Sequence, residues 1–299
     1  MPLYKKIVFN NNDVFYRDEG KYVTVASSLI PFSEYDKSII EYFFSEFPKL
    51  SFIKFERAAQ TENECILSKI IKLKHFDNNF CLELPESIEE YKSSLGKKTR
   101  MHLGQYLRHT EKELNENGGG YYTAPLTEEN RSLMEKLVDL NHERCESKGF
   151  QSGAEKEKIF NLLKEYGVLN YLKLGDEIIA GTIGSIYNNQ FCLHLIAHSN
   201  DYSKLNPGNC ILYKTIEYAI SKKIPVFNFL WGNCEYKSRF GAKEIQLFDY
   251  YVYRKYSNYF IQKIKIFLKK MIKNAKSGLK FIFRPSYHMV KRLIRSFIK

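Results

Sequence analysis

Apolar and polar residues alternate along the first quarter of the chain, a period that is typical of β-strands with one buried face. Three such runs lie between residues 4 and 25, separated by the turn sequences Asn-Asn-Asn-Asp and Glu-Gly. Residues 31–47 instead have the spacing of an amphipathic helix, whose apolar face consists of Tyr35, Ile39, Phe43 and Phe47. Strand patterns return in LSFIKFER, ILSKIIKL and NFCLEL. This part is therefore predicted to be α+β, and nothing in it indicates chemistry.

Residues 87–117 have the pattern of a helix that is interrupted near Gly96. Ser87 followed by Glu90 is a capping box, in which side chains satisfy free backbone N–H groups of the first turn. One face is apolar, and the others carry Lys97, Lys98, Arg100, Arg108 and Lys112. These charges fit either a solvated surface or a basic rim facing an anionic substrate. The glycine-rich run at 117–120 ends the helix and marks a domain boundary.

The pattern after this boundary predicts an α/β sheet. A short strand at 121–126 precedes a helix capped by Thr127 and a second helix over 155–166. Three strands joined by tight turns then form an antiparallel meander. A helix that begins at Pro207 crosses over to the strand PVFNFL, which becomes a parallel neighbour of the meander.

The junction between the last meander strand and this crossover helix is a candidate anion site. The strand FCLHLIAH runs into a polar loop, and the loop ends in Asn206-Pro207-Gly208-Asn209. Backbone N–H groups at a helix start lack intrahelical partners, and the helix dipole is positive there, so a phosphate is favoured. A simple turn and helix cap would have the same sequence.

The composition indicates a globular body followed by a basic tail. Of the 299 residues, 44% are hydrophobic and 27% are charged, and the net charge is +12. Residues 254–299 hold 14 Lys and Arg and no acid, so the rest of the chain is about neutral. The tail places Phe260, Ile264 and Phe267 at helical spacing between lysines, and residues after Pro285 repeat the pattern. Residues 259–299 therefore fit a helix on an anionic membrane surface, a nucleic-acid arm or a helix packed on the body.

The cysteines favour a reducing compartment. Six cysteines occur without a C-x-x-C pair, which fits the cytoplasm better than an oxidising space. No apolar run reaches the roughly 20 residues of a membrane-spanning helix, and no signal peptide is expected. A cytoplasmic location is expected, with attachment to the inner face of the membrane if the tail is the interfacial helix. No residue cluster has metal-ligand spacing, so no metal is expected.

Five of these segments, in this order, resemble the GNAT-type acyltransferases of the CelD/BcsL group, which share with FemAB-type transferases a fold of two GNAT-like halves. The segments are SIEEYKSSLGKKTRMHLGQYLRHTEKEL, LVDLNHERCESKGF, YLKLGDEIIAGTIG, DYSKLNPGNCILYKTIEYA and FNFLWGNCEYKSRFGA. The resemblance implies an α/β (α+β) acyl-CoA N-acyltransferase fold. Its domains would be a shortened N-terminal half (1–120), a C-terminal half with the donor site (121–253) and a basic helical tail (254–299).

The resemblance also assigns roles to residues. The donor lies where two neighbouring strands splay apart, with its pyrophosphate on Asn206, Gly208, Asn209 and Cys210. His194 and His198 are four residues apart on one strand, so they are expected on the same face, and His198 is a candidate base. His142 is a second candidate base, and Tyr236 is the candidate acid for the leaving thiolate. Substrate contacts are assigned to Arg144, Glu235, Lys237 and Asn228. The family commonly has an acid at position 228, so an acid–base role is not carried over to Asn228.

The activity implied is transfer of an acetyl or other acyl group from acetyl-CoA or another acyl-CoA to an amine or hydroxyl of an envelope-related sugar, lipid or peptide. The FemAB relationship leaves aminoacyl-tRNA as an alternative donor, which would require salt-dependent RNA binding. A non-catalytic protein on the membrane surface is the third possibility. No DNA partner is expected.

Overall fold

The structure is a computed structural model that describes residues 5–9, 12–26, 37–59 and 69–268. It divides into two compact units. The first comprises residues 1–74 and 248–299, and the second comprises residues 75–247. The described strands are β1 (Lys5–Phe9), β2 (Asn12–Asp18), β3 (Tyr22–Ala26), β4 (Phe52–Ala59), β5 (Ile70–Glu83), β6 (Gly119–Pro125), β7 (Gly167–Leu174), β8 (Glu177–Tyr187), β9 (Gln190–His198), β10 (Val226–Trp231) and β11 (Lys243–Tyr253).

The described helices are α1 (Lys37–Glu46), α2 (Ile88–Ser94), α3 (Lys97–Asn117), α4 (Arg131–Glu146), α5 (Lys156–Leu163), α6 (Pro207–Ser221), α7 (Glu235–Arg239) and α8 (256–268). A one-turn 3-10 helix, Ser203–Leu205, precedes α6. Residues 269–299, which carry most of the predicted basic tail, lie outside the described residues.

The first unit is a small sheet covered by α1. Its strand order is β1-β2-β3-β4-β11, with β3 and β4 parallel and the β1–β2 and β2–β3 pairs antiparallel. Phe43 of α1 is fully buried against the sheet, and its ring lies 5.2 Å from that of Tyr16. The predicted apolar face of this helix is therefore its buried face. The predicted helical residues 31–36 lie outside the described part of the chain.

The second unit contains the predicted meander and crossover. Its strand order is β11-β5-β10-β9-β8-β7-β6; β6 to β9 are antiparallel, and β10 runs parallel to β9. Alternate residues of β8 face opposite layers. The Thr182 hydroxyl lies 2.9 Å from that of Thr215 on α6, whereas Ile183 packs with α4 and α5. Helix α6 thus covers one face of the sheet, and α4 and α5 cover the other.

The boundary between the units falls near residue 74 rather than at the predicted residue 120. Helices α2 and α3 belong to the second unit because they share its core with α6. The Tyr91 ring lies 6.3 Å from the Tyr213 ring, and Leu103 and Ile216 belong to the same buried cluster. Similarly, the second unit ends at Leu247, inside β11, rather than at residue 253. Packing between segments, not the glycine run, decides where the domain ends.

Three local predictions can be compared directly. The Ser87 hydroxyl accepts the Glu90 N–H at 3.2 Å, and the helix breaks at Gly96, as predicted. The two strands predicted before Pro85 are one strand, β5, because the polar pair at 78–79 continues the strand instead of forming a turn. Helix α4 is not capped by Thr127, since residues 127–130 form a turn and the first helical residue is Arg131.

Candidate active site

The sheet of the second unit opens between β9 and β10. The two parallel strands pair only from Gln190 to Cys192 on β9 and from Val226 to Asn228 on β10. Beyond that point β9 has a bulge, because Ile183 lies opposite Leu195 and Gly184 lies opposite Leu193, which leaves His194 as the extra residue. On β10, the register shifts between Asn228 and Trp231. The strands therefore separate at their carboxyl ends, at the position where the resemblance implies the donor.

The bulge also changes which face each histidine occupies. Phe191 and Leu193 share a core with α6, but Leu195 and Ala197 share a core with α4. The Nε2 atom of His194 lies 2.9 Å from the hydroxyl of Ser185, on the α4 side, and burial lowers the pKa of His194 to about 4. His198 lies on the α6 side. The prediction that His194 and His198 share one face is wrong, because one inserted residue shifts the alternation.

His198 is held as a neutral base at the end of β9. Its Nδ1–H donates to the Ser199 carbonyl at 3.3 Å, which leaves Nε2 as the hydrogen-bond acceptor. Burial is the main cause that lowers the pKa of His198 below its ordinary 6.5, and the nearby positive charges of Arg144 and Lys148 lower it further. The hydrogen bond to Ser199 opposes this shift only in part. The imidazole is thus uncharged at neutral pH.

Gly208 is required by its contact with His198. A Cβ atom at this position would lie 2.7 Å from Cδ2 of the His198 ring, closer than two carbon atoms can pack. Gly208 lies in the first turn of α6, so the absence of a side chain brings the helix start directly against the imidazole. The sequence suggested close approach of a ligand at this glycine; in the structure, the group that approaches is a histidine.

The start of α6 offers fewer free backbone groups than the sequence suggested. Asn206 has a left-handed conformation (φ 50°), and its carbonyl accepts the N–H groups of Asn209 and Cys210 at 3.0 and 3.2 Å. Pro207 has no N–H. The Cys210 side chain is buried, 3.4 Å from the Thr110 hydroxyl. Cys210 therefore contributes neither its N–H nor its thiol to a ligand, which corrects its predicted role.

A cavity of about 200 Å³ collects the remaining residues of this region. It is lined by Arg144, Ile196, His198, Ser203, Asn206, Pro207, Gly208, Asn209, Leu212 and Tyr236. The cavity thus brings together six predicted site residues from four elements. They are Arg144 of α4, His198 of β9, Asn206, Gly208 and Asn209 at the start of α6, and Tyr236 of α7. These residues come from segments up to 92 positions apart, and only the fold brings them together.

Arg144 enters this cavity as an unneutralised cation. The Asn141 side chain donates to the Ile196 carbonyl at 3.1 Å, which ties α4 to β9 beside His198. The Nε atom of Arg144 is buried without a hydrogen-bond partner, and no ion pair joins Arg144 to any residue in the described ranges. A buried guanidinium N–H without an acceptor is costly, so the position favours an anionic ligand.

Tyr236 stays protonated. Burial is the largest cause that raises the pKa of Tyr236 to about 12. The half-buried side chain packs edge-on against Phe229, with ring centroids 6.2 Å apart. Because an ordinary thiol has a pKa of about 8.5, this phenol is better suited to donating a hydrogen bond than to giving up its proton to a thiolate.

Two of the predicted substrate contacts are instead occupied inside the protein. The Lys237 ammonium is buried; it donates to the carbonyls of Leu230 and Trp231 at 3.1 and 2.8 Å, and burial lowers its pKa to about 8. The Asn228 amide accepts the Leu230 N–H at 2.9 Å and donates to Gln190 at 3.2 Å. Both side chains hold the irregular end of β10, where Leu230 has a φ of 56°.

Two further predicted residues do not line the cavity. The Nε2–H of His142 donates to the Ala154 carbonyl at 2.7 Å, on the side of α4 that holds the loop before α5. Glu235 is exposed in the first turn of α7. A base at the cavity is therefore supplied by His198 and not by His142.

A second cavity, of about 410 Å³, was not predicted. It is lined by Lys98, Thr99, His102, Leu103, Tyr106, Asn206, Asn209, Arg239 and Phe240. Asn206 and Asn209 line both cavities. The sequence signal for it was the basic face of α3, on which Lys98 and His102 are one turn apart, but the contribution of α7 could not be read from the pattern.

The described residues contain neither a metal-binding cluster nor a helix that could span a membrane. No group of three or more His, Cys, Asp or Glu in the described ranges has the geometry to hold a metal ion. In the same ranges, no helix combines the length and the apolar character needed to cross a bilayer.

Comparison with known protein families gives a match that lies within the second unit. The acetyltransferase (GNAT) domain family matches residues 98–238, a little under half of the chain. No curated protein sequence matches the chain. The narrower CelD/BcsL assignment stays a prediction.

Solved structures of similar fold extend the comparison to most of the chain. The C-terminal (DUF2156) domain of a putative lysylphosphatidylglycerol synthetase from Agrobacterium fabrum superposes with a TM-score of 0.57 at 11% identity, covering 87% of this chain and 86% of that one. L-PGS from Bacillus licheniformis gives 0.57 at 12%, covering 84% and 85%. FemX gives 0.55 at 11%, covering 83% and 88%. The chain therefore has the acyl-CoA N-acyltransferase (GNAT) fold.

Proposed function

We propose that the protein is an acyltransferase that uses the cavity beside β9 as its reaction centre. The observation that carries this proposal is the neutral imidazole of His198, which shares a cavity with the unneutralised Arg144 and the protonated Tyr236. The GNAT domain match over residues 98–238 supports the same reaction class. The end of β9 beyond its pairing with β10 lines this cavity through Ile196 and His198, and in this proposal the acyl arm of the donor enters between the two strands.

The transfer follows from the properties of these groups. The acceptor amine or hydroxyl gives a proton to Nε2 of His198 and attacks the acyl carbonyl carbon. The Tyr236 hydroxyl donates a hydrogen bond to the oxyanion that forms. The bond between the acyl carbon and the leaving group then breaks, and the His198 imidazolium returns its proton to the leaving thiolate. His198 thus takes both proton-transfer steps, and Tyr236 stabilises charge without losing its proton.

The donor in this proposal is acetyl-CoA or another acyl-CoA, and the acceptor is an amine or hydroxyl of an envelope-related sugar, lipid or peptide. Arg144 would hold a carboxylate or phosphate of the acceptor, since it is a cation at the cavity with a buried, unpartnered Nε. Asn206 and Asn209 would contact the donor through their side chains, because the N–H of Asn209 is already bonded.

Aminoacyl-tRNA is the alternative donor. It comes from the resemblance of the sequence motifs to the FemAB-type transferases, and the similarity in fold to FemX agrees with that resemblance. With this donor, the leaving group would be the ribose hydroxyl of the tRNA instead of a thiolate. The same three residues would act in the same order.

The first experiment measures acyl transfer with both donors. The purified chain is incubated with acetyl-CoA, longer acyl-CoAs or charged tRNA and with a panel of amino sugars, lipids and short peptides, and products are identified by mass spectrometry. We expect one donor class to support transfer and His198→Gln to reduce kcat by about 100-fold or more. Tyr236→Phe should cost about 10-fold to 100-fold in kcat.

His142→Gln is the matched control for His198→Gln, because His142 does not line the cavity. It should leave kcat within about twofold of the unmodified protein. An equal loss in both histidine variants would contradict the assignment of the base. Failure of every donor to bind or react would favour a non-catalytic protein on this fold.

Attachment to an anionic membrane is part of the proposal. Helix α8 exposes an apolar face that includes Phe260, Ile264 and Phe267, and the adjacent charges are the lysines at 263 and 265. Apolar side chains next to lysines on one helix are typical of interfacial binding. In this proposal the enzyme works on the cytoplasmic side of the membrane.

A further inference from the structure

A third cavity, of about 520 Å³, lies beside α3 and away from the reaction centre. Its residues on α3 include Arg100 and Arg108, whereas the second cavity takes Lys98 and Tyr106 from the same helix. Residues two positions apart do not share a face of a helix, so the two cavities open on different sides of α3. Of the lining residues, Leu103 alone is common to both. The third cavity and the cavity beside His198 have no lining residue in common.

The floor of the third cavity is apolar. Leu95, immediately after α2, and Leu103 of α3 are buried, and Leu107 packs against the same cluster. Met101 is 60% exposed and extends this apolar surface towards solvent. Covering such a surface with hydrocarbon is favourable because it removes apolar area from water. The floor therefore favours a ligand with an apolar body.

Charged side chains surround this floor, with more cations than acids. Those that line the cavity are Lys92, Arg100, Arg108 and Glu111. None of the four forms an ion pair with another residue in the part of the chain that the structure describes. Three cations against one acid leave an excess of positive charge at a concave surface, which attracts an anion.

Tyr213 of α6 adds a hydrogen-bond donor without an acceptor. Its side chain lines the cavity and is 1% exposed, and its hydroxyl has no hydrogen-bond partner among the described residues. Burial is the main cause that raises the pKa of Tyr213, and the negative charges of Glu217, Glu89 and Glu111 raise it further, so the hydroxyl keeps its proton. The Lys92 ammonium lies 5.7 Å from the centroid of the ring. Because an unsatisfied buried hydroxyl is costly, a ligand oxygen that accepts its hydrogen bond would be stabilising.

We infer that the third cavity binds a fatty acid, a single hydrocarbon chain with a carboxylate head group. The chain covers Leu95, Leu103 and Leu107, and the carboxylate accepts from Arg108 and from the Tyr213 hydroxyl. A hydrocarbon alone would leave the cations and the hydroxyl unmatched, and a small anion alone would leave the leucines in water. The volume of about 520 Å³ lies in the range of small-molecule sites. The site does not depend on the proposed function, because its occupancy is measured without an acyl donor.

The test measures binding of laurate to the full chain by calorimetry, below the concentration at which laurate forms micelles. We expect saturable binding, and Arg108→Gln should raise Kd by about tenfold, the effect of losing one charge-assisted contact. Lys112→Gln is the matched control, because Lys112 lies one turn further along α3, pairs with Glu116 at 3.6 Å and does not line the cavity. Its Kd should remain within about twofold of the unmodified protein. Absence of laurate binding, or an equal loss in both variants, overturns the inference.

Tyr213→Phe separates ligand binding from an effect on folding. The hydroxyl has no partner in the free protein, so its removal should not lower the melting temperature without laurate. The same change should raise the Kd of laurate by about threefold to tenfold, because the ligand loses one hydrogen bond. An unchanged Kd would show that the head group does not reach Tyr213 and would overturn its assignment to this cavity.

Two further probes test the two parts of the ligand. Dodecyltrimethylammonium has the same chain with a cationic head group, and acetate has the carboxylate without the chain. Both should bind at least about tenfold more weakly than laurate. Equal affinity for the cationic probe would show that the surface takes any amphiphile, and equal affinity for acetate would show that the chain makes no contact. Either result overturns the inference.

Helix α8 is a competing location for laurate, since its apolar side chains are exposed. The variant Ile264→Glu, Phe267→Glu should retain the laurate affinity within about twofold, because neither residue lines the third cavity. Loss of binding in this variant, without loss in Arg108→Gln, would place laurate on α8. A synthetic acidic amphipathic peptide that displaces laurate and binds more tightly would identify a protein segment as the occupant. Both results contradict a fatty-acid site.

Discussion

At the scale of single residues, the contact between Gly208 and His198 determines how the helix start meets the strand end. The imidazole occupies the space that any side chain at position 208 would need. The orientation of the proposed reaction centre thus depends on a residue that has no functional group of its own. A glycine in the first turn of a helix is usually explained by backbone freedom. Here the glycine is needed because the His198 ring occupies the position of a Cβ atom.

Gly208→Ala should reduce kcat/KM by about tenfold or more, because the His198 ring has to move away from its position. The melting temperature should change little, since alanine improves the helix while straining the contact. Gly104→Ala in α3 is the matched control, because a Cβ there meets no atom within 4 Å. It should stabilise the protein by about 0.5–1 kcal/mol and leave activity unchanged. Equal activity in both variants would show that the His198 position is not critical.

The pH dependence of transfer should report the lowered pKa of His198. The base is active when neutral, so kcat/KM should rise with pH at values below the ordinary histidine pKa of 6.5 and be level above it. Lys148→Gln removes a positive charge that lowers this pKa, so the rising limb should move to higher pH. A limb centred above 6.5, or one that persists in His198→Gln, would exclude His198 as the base.

At the scale of elements, β10 shows how an irregular strand end is maintained. The strand leaves its pairing with β9 after Asn228, and Leu230 adopts a left-handed conformation that is unusual for a branched residue. The Asn228 amide holds the Leu230 N–H, and the Lys237 ammonium holds the two carbonyls that follow. The opening of the sheet is thus stabilised by side chains that satisfy backbone groups which would otherwise pair in a ladder.

Lys237→Met should destabilise the second unit by about 1–3 kcal/mol, because the buried Leu230 carbonyl and the partly buried Trp231 carbonyl lose their donor while the volume is kept. The effect should depend on pH. The pKa of Lys237 is lowered from 10.5 to about 8, so between these values the unfolded chain binds more protons and Lys237 contributes more stability as pH rises.

Urea unfolding across this pH window measures the effect. The difference in unfolding free energy between the unmodified protein and Lys237→Met should grow from about pH 8 to about pH 10. The difference removes the contribution of groups that do not interact with Lys237, such as Tyr253 with its raised pKa, because these titrate equally in both proteins. Cys81 is coupled to the charge of Lys237, so its titration is part of the measured difference. A difference that is independent of pH would mean that the ammonium is not desolvated.

At the scale of the whole molecule, basic charge is concentrated at the C-terminal end of the sequence, and the described part of that end is an exposed amphipathic helix. Phe260, Ile264 and Phe267 of α8 are 56%, 57% and 62% exposed, which is unusual for three large apolar side chains on one helix face. Burying such a side chain in a lipid interface contributes about 1.5–3 kcal/mol, and each lysine near an anionic surface adds about 1 kcal/mol.

The double variant Ile264→Glu, Phe267→Glu should therefore lower co-sedimentation with anionic vesicles by about tenfold or more. Asn258→Glu with Gln262→Glu adds the same charge on the opposite side of α8 and should lower it less. Both proteins should bind the donor normally, since the cavities at the start of α6 are lined only by residues of the second unit. Equal vesicle binding by all three proteins would exclude α8 as the membrane contact.

The sequence by itself determined the order and type of most elements in the second unit. Its strands have apolar residues at every second position, and its helices have apolar stripes. These local patterns predict the elements correctly because the apolar side of each element is the side that is buried in the fold. The meander, the crossover helix α6 and the parallel β10 follow from that pattern. His198, Tyr236 and Arg144 were predicted from their motifs, and the cavity brings them together.

Tertiary structure alone decided which atoms are available to a ligand. The bulge at His194 exchanges the faces that the residues after it occupy on β9. The buried Lys237 ammonium donates to backbone carbonyls instead of a ligand, and the Asn206 carbonyl accepts the N–H of Asn209. The second cavity joins α3 to α7, whose lining residues lie more than 130 positions apart. A periodic pattern records which side of an element is buried, but such contacts depend on insertions, close approaches and distant partners that local sequence does not encode.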